Sequence, residues 1–339
     1  MGAGGVASRF ALWICLGLCL LAPALTLANE EFFGLRNYSP FARVFGLPGF
    51  ADGSVLDPGE TSIALTTTVI NHSDVDSEVD SSVEELIVLD GETYVTDLVL
   101  GFGVNERLTL RVELPWVAYT GGIFDGAIEQ WHDLWGFPNG FRDGPNNELF
   151  ISYTRNGTSE FVLDSSGSGV GDVRLQAAYR LLGGDAAGVV LRAGVKLPTG
   201  DARNLRGSEA ADVFLDIAVR KEFALPLGEL VMLVHGGAML LGDGEVLEQL
   251  QRSTVGFAGA GTVWRLNERW RFNLQLYAQS SYFHSDLEAL GSDSLALIAG
   301  GSYTWIEQNL RLSVGMVEDL IADTTPDVAL QIRLTKEFQ

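Results

Sequence analysis

From Thr61 onward, apolar and polar residues alternate with a period of two, and in several segments one parity is wholly apolar. Leu108, Leu110, Val112, Leu114 and Trp116 stand against Thr109, Arg111 and Glu113. Val173, Leu175, Ala177 and Tyr179 oppose Asp172, Arg174, Gln176 and Ala178, and Trp270, Phe272, Leu274 and Leu276 oppose Arg271, Asn273, Gln275 and Tyr277. Successive side chains of a strand point to opposite faces, so each segment predicts a strand with one greasy side. Short turns are predicted at 105–108, 183–185, 226–228, 267–270 and 307–310. Longer, acidic connections are predicted at 72–84, 120–169, 198–212, 241–252, 283–293 and 317–326. Short and long connections alternate, which gives about twelve antiparallel strands with both ends of the array on the short-turn side; bacterial outer-membrane barrels combine an even strand number with short periplasmic turns and longer outer loops. The predicted fold is all-β, a transmembrane antiparallel β-barrel over residues 61–339.

Alternation does not say which face points inward, because a soluble sandwich buries its apolar side and a membrane barrel exposes it. Three features favour the membrane. Arg9 followed by an apolar run from Phe10 to Leu27, closing on Thr26-Leu27-Ala28, reads as a signal peptide (residues 1–28) cleaved after Ala28. Aromatic residues (Trp116, Trp264, Trp270, Tyr303, Trp305) sit near strand ends, where interfacial girdles lie. The last segment sets Val328, Leu330, Ile332, Leu334 and Phe338 against Gln331, Arg333, Thr335 and Glu337. It resembles the terminal strand that the barrel-assembly machinery recognises, with Phe338 as the assembly signal, although that aromatic is penultimate rather than last. Residues 29–60 carry Phe32, Phe33, Phe41, Phe45 and Phe50 without alternation and predict a periplasmic or lumen-plugging segment.

Composition narrows the function. The chain is 47% hydrophobic, yet beyond residue 28 its best candidate for a spanning helix, 225–242, is broken by Pro226, Glu229, His235 and Gly236-Gly237. Forty glycines favour strands and turns over helices. A formal charge of −22 repels nucleic acid, which needs clustered Lys and Arg. Both cysteines, Cys15 and Cys19, lie inside the signal peptide, so no disulfide or lipid anchor is expected downstream.

Candidate chemistry is sparse. In the longest loop, Ile128, Trp131, His132, Leu134 and Trp135 recur at helical spacing, predicting a short amphipathic helix. With Asp125 and Arg142 it forms a candidate ligand site, or the aromatics only pack the loop onto the rim. His132 with Asp133 supplies a base and an orienting carboxylate but no nucleophile, and no Gly-x-Ser-x-Gly or His-Glu-x-x-His motif exists, so no enzyme, cofactor or metal is predicted. The run from Asp74 to Asp80 lacks the glycine and spacing of a calcium loop and reads as a solvated outer loop. The faces assigned to the lumen carry Arg111, Arg174, Arg180, Arg192, Lys196, Arg220, Arg271, Arg311 and Arg333, with Glu113, Asp216 and Glu337 among them. Facing lipid, each cation would cost about 2–4 kcal/mol at the midplane.

The segments Leu35-Arg36-Asn37-Tyr38-Ser39-Pro40, Phe45-Gly46-Leu47-Pro48, Trp131-His132, Gly140-Phe141-Arg142, Val170-Gly171-Asp172-Val173, Lys196-Leu197-Pro198-Thr199-Gly200-Asp201, Glu318-Asp319 and Pro326-Asp327 together resemble an uncharacterised domain-of-unknown-function family of Gram-negative outer-membrane barrels. The Gly-Asp and Lys-Leu-Pro-Thr-Gly-Asp segments are also similar to barrels associated with phenol and other aromatic-degradation pathways. The resemblance implies an outer-membrane location, the lipid bilayer and the barrel-assembly machinery as partners, and passage of a small-molecule solute. Two functions follow: a channel for small molecules, or a closed structural or envelope-assembly barrel. An outer-membrane hydrolase is a distant third.

Overall fold

The computed structural model describes residues 31–79, 83–124, 126, 148–184, 186–321 and 328–338. In chain order the strands are β1 (Thr61–Val79), β2 (Glu84–Asn105), β3 (Leu108–Thr120), β4 (Phe150–Arg155), β5 (Thr158–Leu163), β6 (Gly167–Val170), β7 (Arg174–Gly183), β8 (Ala187–Lys196), β9 (Asp212–Ala224), β10 (Glu229–Leu240), β11 (Thr254–Arg265), β12 (Trp270–Gln279), β13 (Ser294–Trp305), β14 (Leu310–Asp319) and β15 (Val328–Phe338). Twelve of them, all but β4, β5 and β6, pair antiparallel with their neighbours around a closed ring. The seam is β1 against β15, in register from Thr61 opposite Phe338 to Asn71 opposite Val328. All five predicted short turns fall between consecutive ring strands.

The alternation resolves in the membrane sense. Trp270, Phe272, Leu274 and Leu276 are exposed on the outside of β12, Leu274 at 51%, whereas Arg271, Asn273, Gln275 and Tyr277 are buried, Gln275 completely. The same holds on β3, where Leu110, Leu114 and Trp116 are exposed and Thr109 and Glu113 are buried. In water such an exterior would leave far more contiguous apolar surface exposed than a soluble monomer tolerates. Against hydrocarbon it costs nothing, and closing the ring leaves no unpaired edge in the lipid.

Two predicted loops hold strands instead. Residues 72–79 and 84–91 continue β1 and β2 as a ladder beyond the ring, paired from His72 opposite Gly91 to Val79 opposite Glu84. Asp74 and Asp76 therefore sit on a strand, not in a solvated loop, and Asp76 accepts the Ala289 N–H at 3.1 Å. Within 120–169, β4 pairs with β2 and with β5, and β6 pairs with β3. The β4–β5 connection is Asn156-Gly157, both at positive φ (49° and 73°). That is the geometry Asn-Gly supplies to a two-residue hairpin. The predicted helix near 128–135 lies outside the described residues.

Candidate functional site

Residues 31–60 do not run along the outside of the barrel. Phe32, Phe33, Leu35, Phe41, Phe45, Leu47 and Phe50 are all buried and belong to one core with inward-facing residues of the wall. The segment enters and leaves at the short-turn end: Glu31 meets Arg265, the last residue of β11, and Leu56 N–H donates to Thr109 Oγ1 near the start of β3. Its turn at 40–45 reaches the long-loop end. There Phe45 stacks on Tyr282 with centroids 4.8 Å apart, and Phe41 meets Phe161 of β5 edge-on at 5.4 Å. The segment is a re-entrant hairpin running nearly the length of the interior.

Charged groups fix it to the wall at three heights. At the short-turn end the Glu31 carboxylate takes Arg265 at 2.5 Å, Arg220 at 2.8 Å and Arg271 at 3.3 Å, and Glu222 bridges Arg220 and Arg265 at 2.8 Å each. Burial pushes the Glu31 carboxyl upward, but the bond from Arg265 and the nearby charges of Arg220 and Arg271 carry it down to about 2. Arg271 and Arg311 both donate to Thr304 Oγ1, at 2.9 and 3.3 Å. Arg333 donates to Phe32 O at 3.1 Å, and Gln275 brackets Phe33, accepting its N–H at 2.7 Å and donating to its carbonyl at 3.1 Å.

At mid-height Glu113 lies between Arg36 of the hairpin (2.8 and 3.0 Å) and Arg174 of the wall (2.6 Å). Arg192 pairs with Asp216 and donates to Gly49 O at 3.0 Å; Asp216 also contacts His235 Nδ1 at 3.2 Å. Arg111 stands 3.8 Å from Asp52, whose own carboxyl is raised because burial outweighs that cation.

Near the long-loop end, the fully buried Lys196 Nζ touches Asp172 at 2.9 Å, Asp212 at 3.0 Å, Val44 O at 3.0 Å and Ser208 Oγ. Asp212 accepts Gly46 N–H at 2.7 Å. A Cβ on Gly46 would lie 3.0 Å from the Cβ atoms of both Asp212 and Lys196, so this close approach favours glycine. Val44 of the hairpin, Asp172, Ser208 and Asp212, from segments separated in sequence, thus converge on one ammonium group. Buried charges are tolerated only when paired and hydrogen-bonded, and these are.

Arg180 is half-buried near the short-turn end of β7, its backbone N–H donating to Arg107 O. Phe338 is half-buried at the seam, with Lys336 Nζ 5.3 Å from its ring centre. Asp125, Trp131, His132, Trp135 and Arg142 lie outside the described residues. Several interior ionic residues stand out by no signal in the sequence: Glu31, Asp52, Asp97, Asp212, Glu222 and Arg265. Asp97 sits on a buried parity shared with Val95 and Val99, so its stretch lacks a polar stripe, and Arg265 and Asp212 flank connections where parity is hard to carry across. Among the described residues, one cavity between hairpin and wall, of about 70 Å³, is lined in part by Arg36, Asp97, Arg111 and Arg333. That is room for only a few waters. No cluster of metal-ligating side chains occurs among the described residues.

A closed twelve-strand ring with an apolar exterior and an ionic interior defines a β-barrel of the outer-membrane type. The chain belongs to the family described as "Protein of unknown function (DUF3187)", which it matches over residues 16–338. No curated protein matches it. Among solved structures it is similar to the COG4313 outer membrane channel from Pseudomonas putida F1, at 15% identity over 85% of this chain and 98% of that one, with a TM-score of 0.53. Looser likenesses are the toluene transporters TodX of Pseudomonas putida (10% identity, 90% of this chain and 98% of that one, TM-score 0.35) and TbuX of Ralstonia pickettii (11%, 84% and 90%, TM-score 0.37).

Proposed function

We propose that this chain is an outer-membrane channel for small solutes, exported by cleavage after Ala28 and inserted by the barrel-assembly machinery, with residues 31–60 as its plug and the short turns at the periplasmic side. The observation that carries the reading is chemical. The interior wall is lined by charged and amide side chains bonded to a segment that is not part of the ring. A barrel built only as a membrane scaffold is more stable with an apolar filling, because replacing buried ion pairs by packed hydrophobics is often neutral or stabilising. Polar walls are what a passage needs once the segment shifts and water enters. Around the hairpin the wall cations Arg111, Arg174, Arg192, Lys196, Arg220, Arg265, Arg271, Arg311 and Arg333 outnumber the acids Asp97, Glu113, Asp172, Asp212, Asp216, Glu222 and Glu337. The passage is therefore expected to prefer anions.

The small residual cavity favours a second reading, a permanently closed structural barrel. Planar-bilayer recording of the intact chain in a salt gradient separates the two. Long closed intervals with openings that lengthen in urea concentrations that leave the ring intact, an anion-selective reversal potential, and weaker selectivity in Arg111→Gln are expected. Silence under all these conditions supports the structural barrel, and cation selectivity overturns the basic passage.

A further inference from the structure

The Glu31 carboxylate is held almost entirely out of water by three guanidinium groups from three different wall strands, Arg220 of β9, Arg265 of β11 and Arg271 of β12. Two of them bond it within 2.8 Å, whereas Arg271 Nε, 3.3 Å away, completes no hydrogen bond to it or to any other group. Arg271 Nε thus lies beside the carboxylate without completing a bond to it, so Glu31 does not saturate the donors of the three guanidinium groups. The occupant arrives on the re-entrant hairpin and not on the wall, while the cations are fixed by the ring. With Glu31 gone, Glu222 still bridges Arg220 and Arg265, Glu229 still pairs with Arg265 at 2.9 Å, and Arg271 keeps its bond to Thr304. Of the three cations, Arg271 is then the one left with no carboxylate in salt-bridge reach among the described residues, at the periplasmic mouth.

We propose that this cluster is a binding site for a small organic monocarboxylate, with Glu31 as its tethered stand-in. The inference rests on the channel reading for its part in transport: an incoming carboxylate displaces Glu31 and so loosens the plug where it enters. A tethered group competes at an effective concentration on the order of millimolar, so the intact chain binds a free carboxylate weakly and removal of the tethered one uncovers the site.

The test uses propionate as probe and chloride at equal ionic strength as control, with the full chain in detergent micelles. Calorimetry of Glu31→Ala is expected to show propionate binding at least tenfold tighter than to the natural chain. Adding Arg271→Gln should abolish that gain, and chloride should not reproduce it. Equal affinity in Glu31→Ala and the natural chain, or a gain that survives Arg271→Gln, overturns the site. Should Glu31→Ala fail to assemble, the natural barrel answers through Gly34→Cys, a position where a Cβ meets nothing within 4 Å. Propionate, and not chloride, should raise its maleimide labelling rate severalfold, and an unchanged rate overturns the proposal. Binding in micelles and conduction in bilayers fail separately: a conducting chain without the propionate response loses only this site, and a responding chain that never conducts loses only the channel.

Discussion

Glu113→Gln tests whether charge holds the hairpin inside the barrel. The substitution keeps the shape and one acceptor oxygen but removes the negative charge between Arg36 and Arg174, which lie 2.8 and 2.6 Å from it with less than a tenth of each side chain exposed. Removing one partner of a buried ionic group costs about 3–5 kcal/mol, because the remaining charges stay desolvated and uncompensated. Arg174 is anchored in the ring, so the strain is relieved by moving Arg36 and the hairpin that bears it. At 1.4 kcal/mol per decade, the opened fraction of the hairpin rises by roughly two to four orders of magnitude. Hydrogen–deuterium exchange read by mass spectrometry reports this directly. Amides such as Phe50 N–H, bonded to Leu35 O, and Gly46 N–H, bonded to Asp212, should lose protection by about that factor through local opening. Strand amides of β11 to β14 should keep theirs. Unchanged exchange in 31–60, or equal loss in hairpin and ring, would refute the reasoning.

Acidification should free the hairpin at its Glu31 end: the carboxyl titrates near 2 when folded and at 4.5 ordinarily, so its stabilisation is complete above about 4.5 and is lost as pH falls towards 2. Exchange at 31–34 should rise across that window, and Glu31→Gln should remove the step. Gly46→Ala forces a methyl against the side chains of Lys196 and Asp212 and should cost about 1–3 kcal/mol, seen as faster exchange at 44–48 with the ring intact. Leu274→Arg on the exposed face of β12 should lower ring stability by about 2–4 kcal/mol in denaturant titrations of liposome-inserted protein. A smaller effect than at a loop position would contradict the lipid-facing assignment. Phe338→Ala removes the aromatic at the seam and should slow the appearance of the heat-modifiable folded band on gels; normal assembly would show that another residue is recognised.

The ring was legible in the sequence because period-two alternation and short turns are local signals, repeated often enough to fix strand number and order. The ladder extension at 72–79 and 84–91 was not, because Asp74, Asp76 and Glu78 make it read as a solvated loop, and only pairing across β1 and β2 reveals a strand. The β4–β5 hairpin did carry a signal, Asn156-Gly157 between Ile151, Tyr153 and Phe161, Leu163, but it sits in a region whose composition suggests a long loop. Interior cations on clear stripes, such as Arg271 and Arg333, were readable. Their partners were not, since Glu31 and Asp52 come from a stretch without periodicity, and which wall residue each one meets is a property of tertiary folding alone.

The re-entrant path of residues 31–60 bears on the order of biogenesis. The seam joins residues as far apart in sequence as Thr61 and Phe338, so the ring closes only after the last strand has been made. Pairings of such range carry a large loop-closure cost and form late. A segment that crossed the lumen from end to end would have to be threaded or trapped at that moment. A hairpin with both limbs at the same mouth faces no such constraint: it can dock into a finished cylinder, leave it and return without breaking a hydrogen bond of the ring. Insertion into the membrane and filling of the lumen are thereby topologically independent events.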